Sequence, residues 1–177
     1  MLCLRNIKVK MSVQIASFTE TREIGKRVAK MLNAAFNEIS VSYFPDEESL
    51  VKLNKNPKGK TLIIISSLAK NPDKKIIETI LAAGAARGNG ANKVILFATY
   101  LPYMRQDKIF NNYEGISAKS ILRTLSQHFD KVFAIDPHLH RIKTLKSIAK
   151  NCQELTLDNL IADYVKKHLK EKRTPML

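Results

Sequence analysis

Two short apolar segments constrain the fold of this chain more than any other feature. Residues 61–68 (TLIIISSL) and 93–100 (KVILFATY) are almost continuously apolar, and both are shorter than a typical buried helix. Such runs are typical of strands in the interior of a sheet that is covered on both faces. Between them, residues 73–87 are rich in alanine and isoleucine and predict a helix. A strand, a helix and a second strand in this order predict parallel pairing.

The rest of the chain continues the same alternation. Apolar and polar patterns predict further strands at 11–18, 38–44, 49–53, 131–136 and 153–157. Further helices are predicted at 20–35, 117–129 and 158–170, the first with Ile24, Val28 and Leu32 at helical spacing. The predicted fold class is therefore α/β, with a mostly parallel sheet and helices on both faces. The sequence has no internal repeat and no glycine-rich phosphate loop.

Composition limits the functions that this chain can have. It has 177 residues, of which 45% are hydrophobic and 26% charged, which is the composition of a globular domain. The net charge of +14 suits an anionic partner, but the basic residues are scattered and lack the pattern of a nucleic-acid module. No apolar run approaches the roughly 20 residues of a membrane span, so we expect a cytoplasmic protein. Cys3 and Cys152 lack metal or redox spacing and are expected to be free thiols.

Polar clusters follow the predicted strands, where α/β folds bind their ligands. In the loop 101–108 (LPYMRQDK), Arg105 offers a planar fork for phosphate or for stacking on a base. Gln106 can donate to and accept from a purine edge, and Asp107 can orient an arginine. The alternative interpretation is an exposed loop with an arginine–aspartate pair.

Two other clusters carry candidate site residues. In DPHLH (136–140), an acidic residue and two histidines suggest a divalent-cation or phosphate site; the alternative is a helix-capping aspartate followed by ordinary loop histidines. In FPDEE (44–48), Phe44 offers an aromatic face for a base. Asp46 and Glu48 can accept from an amine or a ribose hydroxyl. The alternative for this segment is a tight turn.

Three motifs together resemble one enzyme family. The segments YLPYMRQD (100–107), EGISAK (114–119) and DPHLHR (136–141), with FPDEE upstream, resemble ribose-phosphate pyrophosphokinases, and the resemblance covers residues 12–177. It implies a phosphoribosyltransferase-like domain in a homo-oligomer. It also implies transfer of pyrophosphate from Mg·ATP to ribose 5-phosphate, which gives phosphoribosyl pyrophosphate and AMP for nucleotide biosynthesis.

The same resemblance implies roles for particular residues. Arg105 and Gln106 match ATP contacts, and His138 matches a Mg²⁺ ligand. The remaining matched ATP contacts are expected to come from a neighbouring subunit, because the family builds its ATP site across an interface; they are Phe44, Asp46 and Glu48.

The domain organisation follows from the resemblance. Residues 1–10 are expected to form an extension, 11–172 the ATP-binding amino-terminal domain, and 173–177 the start of a second domain whose motifs are missing. That second domain carries the family's catalytic lysine and arginine, a metal-binding aspartate and the ribose 5-phosphate loop. We therefore assign no catalytic residue and expect the chain to be inactive alone. The alternative is a non-catalytic nucleotide-binding or regulatory partner of a full-length enzyme.

Overall fold

The structure, a computed structural model, describes residues 12–168 and is built on a seven-stranded sheet. The strands, in chain order, are β1 (Val13–Ser17), β2 (Ala35–Tyr43), β3 (Ser49–Leu53), β4 (Thr61–Ser67), β5 (Lys93–Tyr100), β6 (Lys131–Ile135) and β7 (Cys152–Leu155). Their spatial order is β3-β2-β1-β4-β5-β6-β7. All neighbouring pairs are parallel except β2 and β3, which form an antiparallel hairpin.

Four α-helices accompany the strands of the described region. They are α1 (Arg22–Met31), α2 (Pro72–Gly88), α3 (Ser117–His128) and α4 (Asp158–His168). The predicted α/β fold with a mostly parallel sheet is confirmed, and β3 and β5 have the predicted bounds. Residues 1–10 and 173–177, which the sequence assigns to an extension and to a second domain, lie outside the described residues.

Helices cover both faces of the sheet, as predicted. Leu62 and Ile64 belong to the larger core, which α2 and α3 complete on one face. Ile65, whose side chain points to the opposite face, packs with Ala29 of α1 in a second, smaller core. A strand buried on both faces has no polar-out alternation, which explains the continuous apolar run of β4.

The first helix is shorter than its prediction. It begins at Arg22, after a short 3-10 turn, and ends at Met31, well inside the predicted range 20–35. Asn33 terminates it in the left-handed region at φ 48°, and the amide of Ala34 donates to the carbonyl of Ala29 over 2.9 Å. This is the hydrogen-bonding pattern of a Schellman cap, in which asparagine can replace glycine.

Small residues make the closest contacts of α1 with the sheet. Gly25 and Ala29 are buried, whereas Ile24 is 48% and Leu32 57% exposed. A Cβ at Gly25 would lie 2.5 Å from Oγ of Ser17, so the helix packs too closely for a larger residue there. Of the three apolar residues at helical spacing, only Val28 packs against the smaller core.

The parallel sheet sets the position of the candidate site. The loops that follow β4, β5 and β6 all leave the carboxyl edge of the sheet, so motifs that are distant in sequence meet there. Among residues 12–168, no helix is both long and apolar enough to cross a membrane.

Candidate functional site

A cleft of about 640 Å³ lies between the loops that follow β4, β5 and β6. Arg105, Gln106 and His138 line this cleft, and the side chains of all three are exposed. The structure thus brings together three of the six site residues that the sequence predicts. Their roles in binding ATP or a metal stay predictions.

A tight turn presents Arg105 and Gln106 to the cleft. The amide of Gln106 donates to the carbonyl of Tyr103 over 2.9 Å, which closes the turn around Met104 and Arg105. The buried side chain of Met104 belongs to the larger core and anchors the turn there, whereas the side chains of Arg105 and Gln106 are exposed. The amide of Ala118, in the first turn of α3, donates to the carbonyl of Gln106 over 3.2 Å. The start of α3 therefore helps to hold the turn in place.

Asp107 ends this segment with its side chain buried. Its carboxylate accepts hydrogen bonds from Nη1 of Arg141 at 3.0 and 3.3 Å and from the Arg141 amide at 3.2 Å. Burial would raise the pKa of Asp107, but the hydrogen bonds and positive charge of Arg141 outweigh burial and lower that pKa below its usual value. The sequence interpretation that Asp107 orients an arginine agrees with this contact.

The turn that carries His138 begins with a constrained aspartate. Asp136 has φ 39°, its amide donates to the carbonyl of Leu155 over 2.8 Å, and its carboxylate accepts from the amide of Leu157 over 3.2 Å. These contacts fix the end of β6 to the end of β7. His138 follows in the cleft, and its ring lies beside that of His140, with 6.3 Å between ring centroids.

The metal donors near His138 are few. Among residues 12–168, no group of three or more His, Cys, Asp or Glu side chains is arranged to hold a metal ion. His138, Asp136 and Asp73 line the same cleft without forming such a cage. This donor set fits an ion that keeps most of its coordination to water and phosphate, as Mg²⁺ does, better than one that needs a complete protein shell.

The predicted residues Phe44, Asp46 and Glu48 lie elsewhere, in the hairpin between β2 and β3, and do not line the cleft formed by the described residues. The amide of Glu47 donates to the carbonyl of Phe44, and the amide of Phe44 donates to the carbonyl of Glu48, each over 2.9 Å. Between them, Glu47 occupies the left-handed region at φ 70°. The tight turn, the alternative interpretation of this segment, is thus present.

A buried carboxylate holds the base of this hairpin. Glu78 of α2 is 1% exposed, accepts from the Tyr43 hydroxyl at 3.0 Å and pairs with Lys75 at 2.6 Å. Lys75 also pairs with Glu20 at 2.9 Å. Burial, with the hydrogen bond to Glu78, raises the pKa of Tyr43, so its hydroxyl stays protonated and donates. The orientation of the hairpin is therefore tied to α2.

Asp73 and Tyr103, to which the sequence assigned no role, also line the cleft. The Tyr103 hydroxyl donates to the Asp73 carboxylate, and this hydrogen bond raises the pKa of Tyr103. The contact connects the start of α2 to the turn that carries Arg105. An acidic residue in the first helical turn after a buried strand was the available signal for Asp73, since that position lies at the carboxyl edge, where α/β folds bind their ligands.

Cys152 has no place in this site. It is buried and forms no disulfide within the described residues, and burial raises its pKa to about 11. A thiol that stays protonated at neutral pH is a poor nucleophile and a poor metal ligand.

Sequence comparisons match this chain to ribose-phosphate pyrophosphokinases. A family model described as the N-terminal domain of ribose phosphate pyrophosphokinase matches residues 13–128. A ribose-phosphate pyrophosphokinase from Methanopyrus kandleri is 31% identical over 132 residues, which are 75% of this chain and 44% of the relative. One from Pyrococcus furiosus is 30% identical over 138 residues, or 78% and 48% of the two chains. The chain thus spans about half the length of these curated relatives.

Solved structures support the same fold. A phosphoribosylpyrophosphate synthetase from Mycobacterium smegmatis matches with a TM-score of 0.77 at 19% identity, over 89% of this chain and 52% of the other. An APRTase from Giardia lamblia, complexed with 9-deazaadenine, matches with a TM-score of 0.50 at 10% identity, over 75% and 73% of the two chains. At these identities the likeness concerns the fold alone.

Proposed function

The chain belongs to the ribose-phosphate pyrophosphokinase family, and from this premise we propose that it is a cytoplasmic ATP-binding domain for pyrophosphate transfer to ribose 5-phosphate. The products of that reaction are phosphoribosyl pyrophosphate, a precursor in nucleotide biosynthesis, and AMP. The observation that carries the proposal is the single cleft lined by Arg105, Gln106 and His138.

The chemistry of this cleft suits a nucleotide triphosphate. Transfer of a phosphoryl or pyrophosphoryl group depends mostly on positioning and on neutralising the charge of the phosphate chain. Arg105 supplies a permanent positive charge and a planar fork of donors. Gln106, beside it, offers both a donor and an acceptor to the edge of a purine.

Mg²⁺ supplies charge neutralisation of the phosphates when it is bound. In this proposal His138 is the protein ligand that this chain contributes, and water and phosphate oxygens occupy most of the other positions. The absence of a group of three donor side chains within residues 12–168 agrees with an ion that arrives with the nucleotide. A metal cage built by the protein alone would need more ligands.

The hairpin residues Phe44, Asp46 and Glu48 complete the site from a second copy of the chain in this proposal. The tip carries three acidic residues in a row, and Phe44 is 50% exposed. The segment that it would meet carries the exposed cations Arg105 and Lys108. Opposite charges on the two surfaces favour association of one copy with another.

In this proposal, the binding of Mg·ATP is separable from the transfer of pyrophosphate in a chain of this length. Because it spans 44% and 48% of the two curated relatives described above, we expect these 177 residues to bind Mg·ATP without transferring pyrophosphate. The same coverage favours a second candidate function, a non-catalytic nucleotide-binding or regulatory partner. Adding the chain to an active family member separates the two, since only a regulatory partner changes that enzyme's rate.

Calorimetric titration with Mg·ATP tests the proposed function. We expect saturable binding by the wild-type chain and weaker binding, by about 1.5–3 kcal/mol, for Arg105→Ala, which removes a charged hydrogen-bond donor from the ligand. Arg123→Ala, which removes an exposed arginine of α3 outside the cleft lining, is the matched control and should bind like the wild type. Absence of binding by a folded wild-type chain would contradict the proposal.

A further inference from the structure

One ion pair connects the two loops that carry the predicted ATP and metal residues. Asp107 lies two residues after Arg105, and Arg141 lies three residues after His138. Their side chains meet at 3.0 Å, between the loop after β5 and the loop after β6. The pair therefore joins the two loops that carry these predicted residues.

The pair is difficult to separate. The Asp107 side chain is 1% exposed, and its oxygens accept from both the guanidinium and the backbone amide of Arg141. Moving the loops apart would leave a buried carboxylate without its partner, which is among the most destabilising changes inside a protein. Since the backbone amide takes part, the contact fixes the path of the loop as well as one side chain.

We propose that Asp107 and Arg141 are positioning residues, which set the Arg105–Gln106 turn at a fixed distance from His138 so that one phosphate chain and its metal are held together. The inference rests on the proposed function and deepens it. Neither Asp107 nor Arg141, both within the described residues, lines the cleft, so they act through the loops and not by touching the ligand.

The simpler interpretation is that the pair only stabilises the fold. A second ion pair in the chain serves as a control that distinguishes this stabilising role from the positioning role. Asp130 accepts from Arg87 at 3.0 Å and from the backbone amide of Val94 at 2.7 Å, at the opposite edge of the sheet. It therefore has the same kind of partners as Asp107, although it is more exposed. Asp130→Asn therefore measures how the loss of such a pair changes ligand affinity when the pair does not connect the loops that line the cleft.

The test compares Mg·ATP with ATP in the presence of EDTA by calorimetry, on the full 177-residue chain. Asp107→Asn should lose about tenfold or more of its affinity for Mg·ATP, as changes behind a metal ligand typically do. Its affinity for metal-free ATP should change much less, because only the metal requires His138 and Arg105 in fixed relation. Asp130→Asn should keep both affinities. An equal loss for the two ligands, or no loss, would overturn the inference.

Failure of the inference is distinguishable from failure of the proposed function. If the wild-type chain does not bind Mg·ATP, the function is wrong, and amide spectra of the free protein then decide on the positioning role. We expect Asp107→Asn to shift amide resonances in residues 136–141 as well as in 103–107. Shifts confined to residues 103–107 would contradict the positioning role. Should Asp107→Asn fail to fold, Arg141→Gln, at a side chain that is 45% exposed, takes its place in both measurements with the same expected outcomes.

Discussion

At the scale of single residues, an unusual backbone conformation recurs at the carboxyl edge of the sheet. Asn71, Tyr103 and Asp136 follow β4, β5 and β6, and all three have positive φ, at 49°, 67° and 39°. Non-glycine residues rarely adopt this region, at a cost on the order of 1 kcal/mol, and persist there when their surroundings fix them. The Asp73 contact fixes Tyr103, and the contacts to Leu155 and Leu157 fix Asp136.

The strain at Glu47 leads to a prediction about stability. The hydrogen bond from the Phe44 amide to the Glu48 carbonyl closes a three-residue loop, residues 45–47. Glu47 occupies the last position of this loop with φ 70°, and glycine is favoured at that position. Glu47→Gly should therefore raise the free energy of unfolding by up to about 1 kcal/mol. Glu48→Gly removes the same side chain from the adjacent position, where φ is not positive, and should lower stability by about 0.5–1 kcal/mol. Chemical denaturation measures both, and equal effects would contradict the interpretation.

At the scale of elements, the sequence predicted the sheet better than the helix packing. The apolar runs of β4 and β5 identify strands because strands that are covered on both faces are rich in apolar residues. The buried face of α1 was not predictable in this way, because it depends on the tertiary contact of Gly25 with Ser17 and Phe36. Likewise, the polar residues 101–107 predict a loop, but not that Met104 and Asp107 point inward.

The surroundings of two helical glycines, one in α1 and one in α2, predict opposite effects of substitution by alanine. A Cβ at Gly25 would lie 2.5 Å from Ser17 Oγ and 2.8 Å from Phe36 Cε2, so Gly25→Ala should destabilise the protein by about 1–3 kcal/mol. Gly84→Ala, within α2, meets no described atom within 4 Å beyond its own helix backbone and should stabilise by up to about 1 kcal/mol. Thermal unfolding of both variants checks this, and stabilisation by Gly25→Ala would show that α1 lies farther from the sheet.

At the scale of the whole molecule, the parallel topology assembles the cleft from segments that are distant in sequence. Arg105, Gln106 and His138 meet because β5 and β6 are parallel neighbours whose following loops share one edge. The order of strands and motifs made this meeting predictable. The role of the 44–48 hairpin does not follow from a single chain, because its residues do not line the cleft formed by the described residues. That assignment stays a prediction.

The most direct test of the account is to map Mg·ATP onto the chain by the amide spectra of the isotope-labelled protein. We predict that addition of Mg·ATP shifts the resonances of residues 101–107 and 136–138 most strongly, because they belong to the loops that line the cleft. Shifts centred on the opposite edge of the sheet, near the Arg87–Asp130 pair, or a spectrum that saturating Mg·ATP leaves unchanged, would contradict the placement of a nucleotide site at this edge.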